Sequence, residues 1–218
     1  MNLMQRKTLA HADVWSLIRK AQGTRPRVLV GIDGPGGSGK STLGSVLARS
    51  CASAALVHGD DFFFPSALRR TRGAAQRPGW EFDLERLRDE VLHPFCGGSR
   101  VRYHRYDWDT DTIVSEADEV DADTLIIEGI YTTSSVTRRL FDFRIWVDCP
   151  REERLRRGLE RDGAAARNRW VNDWMPQEDE YVKLENPRRH ANLVVYCGAL
   201  SGVDRQQAVV ISDKETSI

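Results

Sequence analysis

The octapeptide GPGGSGKS, residues 34–41, is the most informative stretch of this chain of 218 residues. It matches the pattern G-x-x-x-x-G-K-[ST] of a phosphate-binding loop. The apolar run RVLVGID before it, residues 27–33, predicts a buried strand, and residues 42–50 after it predict a helix. A phosphate-binding loop requires the motif, a strand before it and a helix after it, and the sequence meets all three requirements. They argue against the alternative, a glycine-rich turn that only caps the helix.

Each residue type in this loop has a chemical task. Glycines let the backbone turn tightly and bring its N–H groups close to phosphate oxygens, where a Cβ would intervene. The following helix adds its positive dipole end. We expect Lys40 to reach the β- and γ-phosphates and the Ser41 hydroxyl to ligate Mg²⁺. The loop therefore predicts ATP and Mg²⁺ as cofactors. The predicted nucleotide-binding residues are Gly34, Pro35, Gly36, Gly37, Ser38, Gly39, Lys40, Ser41 and Thr42.

The composition is that of a globular protein. Apolar residues make up 40% and charged residues 29%, and no stretch approaches the roughly 18 consecutive apolar residues of a membrane helix. Basic and acidic residues are equal at 32 each, so the positive surplus typical of nucleic-acid binding is missing. The four cysteines are widely spaced, and the amino terminus has no secretory pattern. We expect a cytoplasmic protein with reduced thiols and neither nucleic acid nor membrane as partner; its oligomeric state is left open.

Short apolar runs rich in β-branched residues alternate with helical sequence along the chain. This alternation predicts an α/β three-layer P-loop fold, with a mostly parallel, doubly wound sheet, as one domain over residues 1–218. An amphipathic helix is expected at residues 10–20. Ligands collect at the carboxyl ends of such strands, so the acids that follow them are site candidates. The strands are predicted at residues 27–33, 55–58, 124–127, 143–147, 192–196 and 208–211, and the acids are Asp33, Asp60, Asp61, Glu128 and Asp148.

A magnesium ion held by a serine needs an acidic partner, which usually follows a neighbouring strand. Glu128 after TLII and Asp148 after FRIWV both fit this position. Asp148 leads into Pro150 and a charged helix, which favours a capping role. Gly129 lets the backbone turn directly after Glu128. We therefore predict Glu128 as the metal-side acid, and the alternative is an acid on the surface.

The segment HGDDFFFP, residues 58–65, carries two adjacent acids after the second predicted strand. An attacking hydroxyl needs a carboxylate within hydrogen-bond reach to orient it and to accept its proton. Asp60 or Asp61 can do this, or they cap the next helix. If the backbone stays extended here, their side chains point to opposite faces, and only one of them can meet the acceptor.

In content, order and spacing, these motifs resemble the uridine kinase group of P-loop kinases, which includes phosphoribulokinase-like and pantothenate kinase-like enzymes. The likeness covers roughly residues 27–197 and rests on GIDGPGGSGKST, DDFF, EFDLERL, RYD, IIEGI and RLRRGLERD. It implies transfer of the γ-phosphoryl group of ATP to a hydroxyl of a nucleoside or a similar metabolite. The residues to which it gives roles are Asp60 as general base, Glu128 beside Mg²⁺, Asp83 and Tyr106 as substrate contacts, and Arg157 and Arg161 in an arginine-rich lid at about residues 151–169.

Several assignments keep their alternatives. The segment YHRYDWDTDT, residues 103–112, has acids where uridine kinases carry a pyrimidine-recognising histidine, so a vitamin, a sugar phosphate or a nucleotide remains an alternative acceptor. We expect acceptor-binding elements within residues 63–109, although Asp83 there can also cap a helix. His58 and His104 are interpreted as ordinary histidines, and Trp170 and Trp174 are given no chemistry.

A nucleotide-binding switch or ATPase without a small-molecule acceptor is the alternative from another class. The acid pair after the second strand favours a kinase. Seven arginines between residues 151 and 169 favour it as well, because guanidinium groups suit the charge of a transferring phosphoryl group. The same arginines also suit a solvated helix with Glu–Arg pairs.

Overall fold

The structure, a computed structural model, describes residues 6–72, 78–196 and 207–211. The polar loop predicted around residues 71–80 falls partly outside the described residues, and Cys197 falls outside them entirely. No helix in the described part of the chain is long and apolar enough to cross a bilayer.

A seven-stranded sheet forms the centre of the described chain. In chain order the strands are β1 (Arg6–Ala10), β2 (Val28–Asp33), β3 (Ala54–His58), β4 (Val101–Tyr103), β5 (Tyr106–Asp107), β6 (Thr112–Ile113), β7 (Asp118–Val120), β8 (Thr124–Glu128), β9 (Phe143–Asp148), β10 (Leu193–Tyr196) and β11 (Gln207–Ile211). The sheet order is β1-β11-β10-β9-β2-β8-β3. Strands β10, β9, β2, β8 and β3 run parallel, and β11 and β1 extend the sheet as an antiparallel edge. The remaining strands form two small pairs, β4 with β7 and β5 with β6.

Helical segments connect these strands. In chain order the α-helices are α1 (His11–Gln22), α2 (Lys40–Arg49), α3 (Ser66–Arg72), α4 (Leu84–Arg86), α5 (His93–Cys96), α6 (Arg151–Asp162), α7 (Arg167–Arg169), α8 (Met175–Glu185) and α9 (Pro187–His190). Two π-helical segments, Leu87–Leu92 and Trp170–Trp174, join α4 to α5 and α7 to α8. Two 3₁₀ turns lie at Gly59–Phe62 and Ala164–Ala166.

Two apolar cores lie on opposite faces of the sheet, and β2 contributes to both. Val28, Val30 and Ile32 pack with α1 and α2 in the first core, whereas Leu29 belongs to the second. Strand β2 is buried along its whole length. Parallel strands covered on both faces read as continuous apolar runs, which explains the sequence before the phosphate loop.

The fold class predicted from the sequence is confirmed, and each predicted strand has a counterpart in the sheet. Strand β1, which pairs with the distant β11, was not predicted. The two small strand pairs between residues 101 and 120 were not predicted either. Strands of two or three residues are too short to show a hydrophobic period, so they leave no local signal.

Candidate active site

The phosphate loop runs from the end of β2 to the start of α2, and its glycines determine its shape. Gly37 and Gly39 have φ angles of 73° and 98°, in the left-handed region that glycine adopts at little cost. Gly34 has no room for a side chain, because a Cβ would lie 2.6 Å from the carbonyl oxygen of Val147. This backbone can approach an anion with its N–H groups.

Asp33, the last residue of β2, fixes the start of the loop. Its carboxylate is fully buried and accepts hydrogen bonds from Gly34 N–H at 2.7 Å and from the Tyr181 hydroxyl at 2.6 Å. It also accepts bonds from the N–H and hydroxyl of Thr133 at 2.9 and 2.8 Å. Burial raises the pKa of Asp33, and these donors oppose the rise. The position of Asp33 at a strand end made it a site candidate from the sequence, whereas no sequence pattern indicated Thr133 or Tyr181.

Glu128 ends β8, next to β2, and lies beside the loop serine. Its buried carboxylate accepts a hydrogen bond from the Ser41 hydroxyl at 3.0 Å. Burial alone would raise the pKa of Glu128, but the hydrogen bond with His58 and the charge of Lys40 outweigh it and lower that pKa. An ionised carboxylate beside a hydroxyl is a donor set that suits Mg²⁺.

His58, interpreted from the sequence as an ordinary histidine, belongs to this cluster. It ends β3 directly opposite Glu128 in the parallel pairing of β3 with β8, and its Nδ1 lies 2.6 Å from Glu128 Oε1. The hydrogen bond to Glu128 raises the pKa of His58, although partial burial opposes this. Asp148, the other candidate acid, instead accepts a hydrogen bond from Arg188 at 2.7 Å.

A cavity of about 410 Å³ lies in front of the phosphate loop. Gly36 and Lys40 line it from the loop side, and Asp60 and Arg161 line it as well. Acid, lysine and arginine thus meet at one place, although they come from separate segments of the chain. This is a suitable environment for a phosphoryl group and an attacking hydroxyl.

Asp60 and Asp61 face different surroundings. The prediction from the sequence assumed that the backbone stays extended after β3. Instead, the backbone forms the 3₁₀ turn Gly59–Phe62. Neighbouring side chains of such a turn point about 120° apart. Asp60 lines the cavity, whereas Asp61 is hydrogen-bonded to Tyr103 and lies near Arg105.

Both carboxyl groups are perturbed. Asp60 is open to the cavity, but protein surrounds it closely on the other sides, so burial raises its pKa; the charge of Lys40 opposes this rise. Burial raises the pKa of Asp61 to about 6, against the charges of His58 and Arg105. The position in the cavity therefore distinguishes the two acids better than the pKa does.

Aromatic residues in contact with one another form one wall of the cavity. Phe63 stacks with Trp108 at a ring-centroid distance of 4.8 Å and meets Phe82 edge to face at 5.1 Å. Phe82 in turn contacts Tyr131 at 5.4 Å. Trp108 is 54% exposed although it belongs to this wall, so its ring face can contact a ligand. A flat apolar group can stack against this aromatic surface.

The two residues that the resemblance implied as substrate contacts do not line the cavity. Tyr106 is buried behind its wall, where it contacts Trp108 at 4.9 Å and donates a hydrogen bond to Asp111 at 2.6 Å. Asp83 caps α4 by accepting a hydrogen bond from Arg86 N–H at 3.0 Å. For Asp83 this geometry matches the capping alternative.

The arginine-rich segment begins with α6, and its two implied lid arginines differ in position. Arg161 lines the cavity, and Asp162 accepts two hydrogen bonds from it at 2.7 and 3.0 Å. Arg157 donates to Glu153 on the same helix at 2.7 Å and does not line the cavity. The structure therefore brings only one of the pair to the acid and the lysine.

Trp170 and Trp174 also take different positions. Trp170 is buried against Gly158, where a Cβ would lie 2.4 Å from its ring, and its Nε1–H donates to Asp162 at 2.9 Å. Trp174 lines the cavity, with the Arg169 guanidinium 4.6 Å from its ring centroid. The sequence indicated no role for either tryptophan, but both line the cavity of the candidate site.

Solved structures share this fold. A candidate fructose transport system kinase from Silicibacter sp. TM1040 superposes with a TM-score of 0.71 at 24% identity, covering 80% of this chain and 95% of that one. A possible uridine kinase from Bacillus stearothermophilus gives 0.64 at 26% identity, covering 84% and 96%. D-glycerate 3-kinase from Cryptococcus neoformans gives 0.58 at 13% identity, covering 86% and 93%. No curated protein gives a significant match.

The sequence itself matches a family model. Residues 29–193, well over half of the chain, match the model described as the Phosphoribulokinase / Uridine kinase family. The match includes most of the phosphate loop's strand, the loop, the acid pair, the metal-side acid and the arginine-rich segment. Kinases of this family use ATP and act on small molecules. This chain belongs to the phosphoribulokinase/uridine kinase family and is a P-loop small-molecule kinase.

Proposed function

We propose that this kinase transfers the γ-phosphoryl group of ATP to a hydroxyl of a nucleoside, of the uridine or cytidine type, or of a comparable small metabolite with a flat ring. The observation that carries the proposal is the cavity, in which Asp60 lies near Lys40 and Arg161 and aromatic rings form one wall. The likeness to a possible uridine kinase at 26% identity supports the same class of acceptor.

In the proposed reaction the protein positions groups and stabilises charge. The phosphate loop and Lys40 bind the nucleotide phosphates. Asp60 orients the acceptor hydroxyl and removes its proton as the oxygen attacks the γ-phosphorus. Arg161, held by Asp162, stabilises the negative charge of the transferring phosphoryl group. We give Arg157 no contact with that group, because it pairs with Glu153 outside the cavity.

The proposed Mg²⁺ ligands are Ser41 and Glu128, with the carboxylate acting directly or through water. They fit the ion, because a buried carboxylate with a lowered pKa lies 3.0 Å from the serine hydroxyl. When bound, Mg²⁺ neutralises phosphate charge during transfer. His58 orients Glu128 through the second carboxylate oxygen.

Replacing Glu128 by glutamine should raise the Mg²⁺ concentration needed for half-maximal activity by roughly tenfold or more, because the site loses its only anionic protein ligand in this proposal. The matched control is Asp148→Asn, which changes a strand-end acid that pairs with Arg188 instead. The measurement is the initial rate across a Mg²⁺ titration at saturating ATP. If Asp148→Asn changes the Mg²⁺ requirement and Glu128→Gln does not, the metal-side acid is misassigned.

The aromatic wall of the cavity favours an acceptor with a flat ring, but it does not specify which acceptor. Acids shape the turn after β5, in the segment that lacks the histidine of uridine kinases: Asp107 accepts hydrogen bonds from the N–H groups of Asp109 and Thr110 at 2.8 and 3.2 Å. Asp111 accepts from Ser66 N–H at 2.9 Å and from the Tyr106 hydroxyl. These acids hold the hairpin that carries Trp108 and do not line the cavity, so our proposal is not limited to pyrimidine nucleosides.

The test is a phosphate-transfer screen of the purified protein with ATP and Mg²⁺. Candidate acceptors are nucleosides, nucleotides, pantothenate, sugars and sugar phosphates, and the readout is acceptor-dependent ADP formation with identification of the phosphorylated product. We expect the highest kcat/KM for an acceptor with a flat ring. ATP hydrolysis that depends on no acceptor would instead support the alternative of a switch or ATPase. A strict preference for an acceptor without a ring would contradict the proposed stacking of the acceptor on the aromatic wall.

A further inference from the structure

Glu178, to which the sequence gave no role, reaches from α8 into the phosphate loop. Its side chain is buried, and Oε1 accepts a hydrogen bond from Gly36 N–H at 2.9 Å. The contact is close: a Cβ at position 36 would lie 2.8 Å from the same carboxylate oxygen. A residue 142 positions away in the sequence thus occupies a backbone N–H of the loop.

The type of group at this position matters. Phosphate loops offer their backbone N–H groups to phosphate oxygens. A carboxylate is an oxyanion as well, and Glu178 lies close enough to Lys40 for the lysine charge to favour its ionised form, although burial dominates and raises its pKa. Glu178 therefore occupies a loop N–H that a nucleotide phosphate can use and lies within the field of the loop lysine.

Arg154 holds Glu178 in this place. Its Nη1 donates to Glu178 Oε2 at 2.8 Å, and both side chains are almost completely buried, at 6% and 7% exposed. The backbone of Arg154 also packs on the loop, because a Cβ at Gly37 would lie 2.5 Å from the Arg154 carbonyl oxygen. Helices α6 and α8 therefore meet the loop at two adjacent glycines.

Arg154 also has a hydrogen-bond donor that is not used. Its Nε is buried and has no hydrogen-bond partner among the described residues. A buried guanidinium with an unused N–H beside a phosphate loop can donate a hydrogen bond to a second oxyanion. This independent observation points to an anionic ligand at the same spot.

We propose that Glu178 is an internal competitor of the nucleotide phosphates. Its carboxylate and a phosphate oxygen compete for the N–H of Gly36, and nucleotide binding displaces the carboxylate and leaves Arg154 facing the phosphates. Glu178 thereby lowers nucleotide affinity and couples the occupancy of the loop to α6 and α8. The inference depends on ATP binding and not on the identity of the acceptor.

The test measures the dissociation constant of ATP·Mg²⁺ by calorimetry, with no acceptor present. Glu178→Gln keeps the shape and an acceptor oxygen but removes the negative charge, so ATP should bind roughly fivefold more tightly or better, the effect of removing one like charge a few ångströms from an anion site. The matched control is Glu180→Gln, the same substitution at an exposed position of α8, which should leave the constant unchanged.

A second variant covers the case in which Glu178→Gln leaves Arg154 unpaired and fails to fold. Glu178→Asp keeps the charge beside Arg154 but is one methylene shorter, so it releases Gly36 N–H, and ATP should again bind more tightly. Thermal melting without nucleotide verifies that each variant is folded. Unchanged or weaker ATP binding in the folded variants would show that Glu178 only stabilises the conformation of the loop. This result would overturn the proposal.

Discussion

Replacing Lys40 by alanine should lower kcat/KM by at least a hundredfold and leave the protein folded. The expected cost is about 3 kcal/mol of transition-state stabilisation, the scale of losing one preorganised charge contact with a reacting group. Lys40 begins α2 and lines the cavity, so its removal takes away no core contact. The measurement is steady-state kinetics with ATP·Mg²⁺ and the acceptor found by screening.

The control for this prediction is Lys183→Ala, an exposed lysine on α8 away from the cavity. It should keep normal rates, and both variants should melt at the temperature of the unchanged protein within a few degrees. Wild-type rates from Lys40→Ala would refute the phosphate-loop assignment. A large loss of melting temperature would show instead that Lys40 stabilises the fold.

Replacing Asp60 by asparagine should lower kcat by roughly a hundredfold or more with little change in ATP affinity, the range typical of losing a general base. Asp60 lines the cavity with Lys40 and Arg161, and asparagine keeps its size but cannot accept the proton. The comparison is Asp61→Asn, which should affect kcat much less because Asp61 is directed to Tyr103. If Asp61→Asn is the more damaging change, the base is the other carboxylate.

The same substitution should change the pH dependence of kcat. A general base works when deprotonated, and burial raises the pKa of Asp60 above the usual aspartate range. Activity should therefore fall as the pH drops through this raised pKa, at higher pH than for an ordinary aspartate. The acidic limb should be missing from the residual activity of Asp60→Asn. An unchanged limb in that variant would assign it to another group, of which Asp61, with a pKa of about 6, is the nearest candidate.

Features that depend on adjacent residues were predictable from the sequence. The phosphate loop, its strand and its helix are contiguous, and the glycines at positions 37 and 39 meet a local backbone requirement. The apolar runs predicted the strands because a parallel sheet buried on both faces demands such runs. Lys40 and Glu128 were predicted as site residues in the same way, from a motif and from the end of a strand.

Features that depend on the backbone path between elements were predicted less well. The acid pair was found, but the 3₁₀ turn after β3 determines which acid faces the cavity. Arg157 and Arg161 are one helical turn apart and looked alike in the sequence. Only the position of α6 beside the cavity distinguishes them, because Arg161 reaches it and Arg157 pairs with Glu153.

The family, the phosphate loop and the class of reaction could be inferred from the residues alone, because a chain segment fixes its own turns and periodicity through local sterics. The groups that support that loop could be identified from the three-dimensional structure only. Tyr181 reaches Asp33 across 148 positions of sequence, and Glu178 reaches Gly36 across 142. Such contacts depend on how helices pack against the sheet, and no local pattern encodes them, because the partners meet only after the layers are assembled.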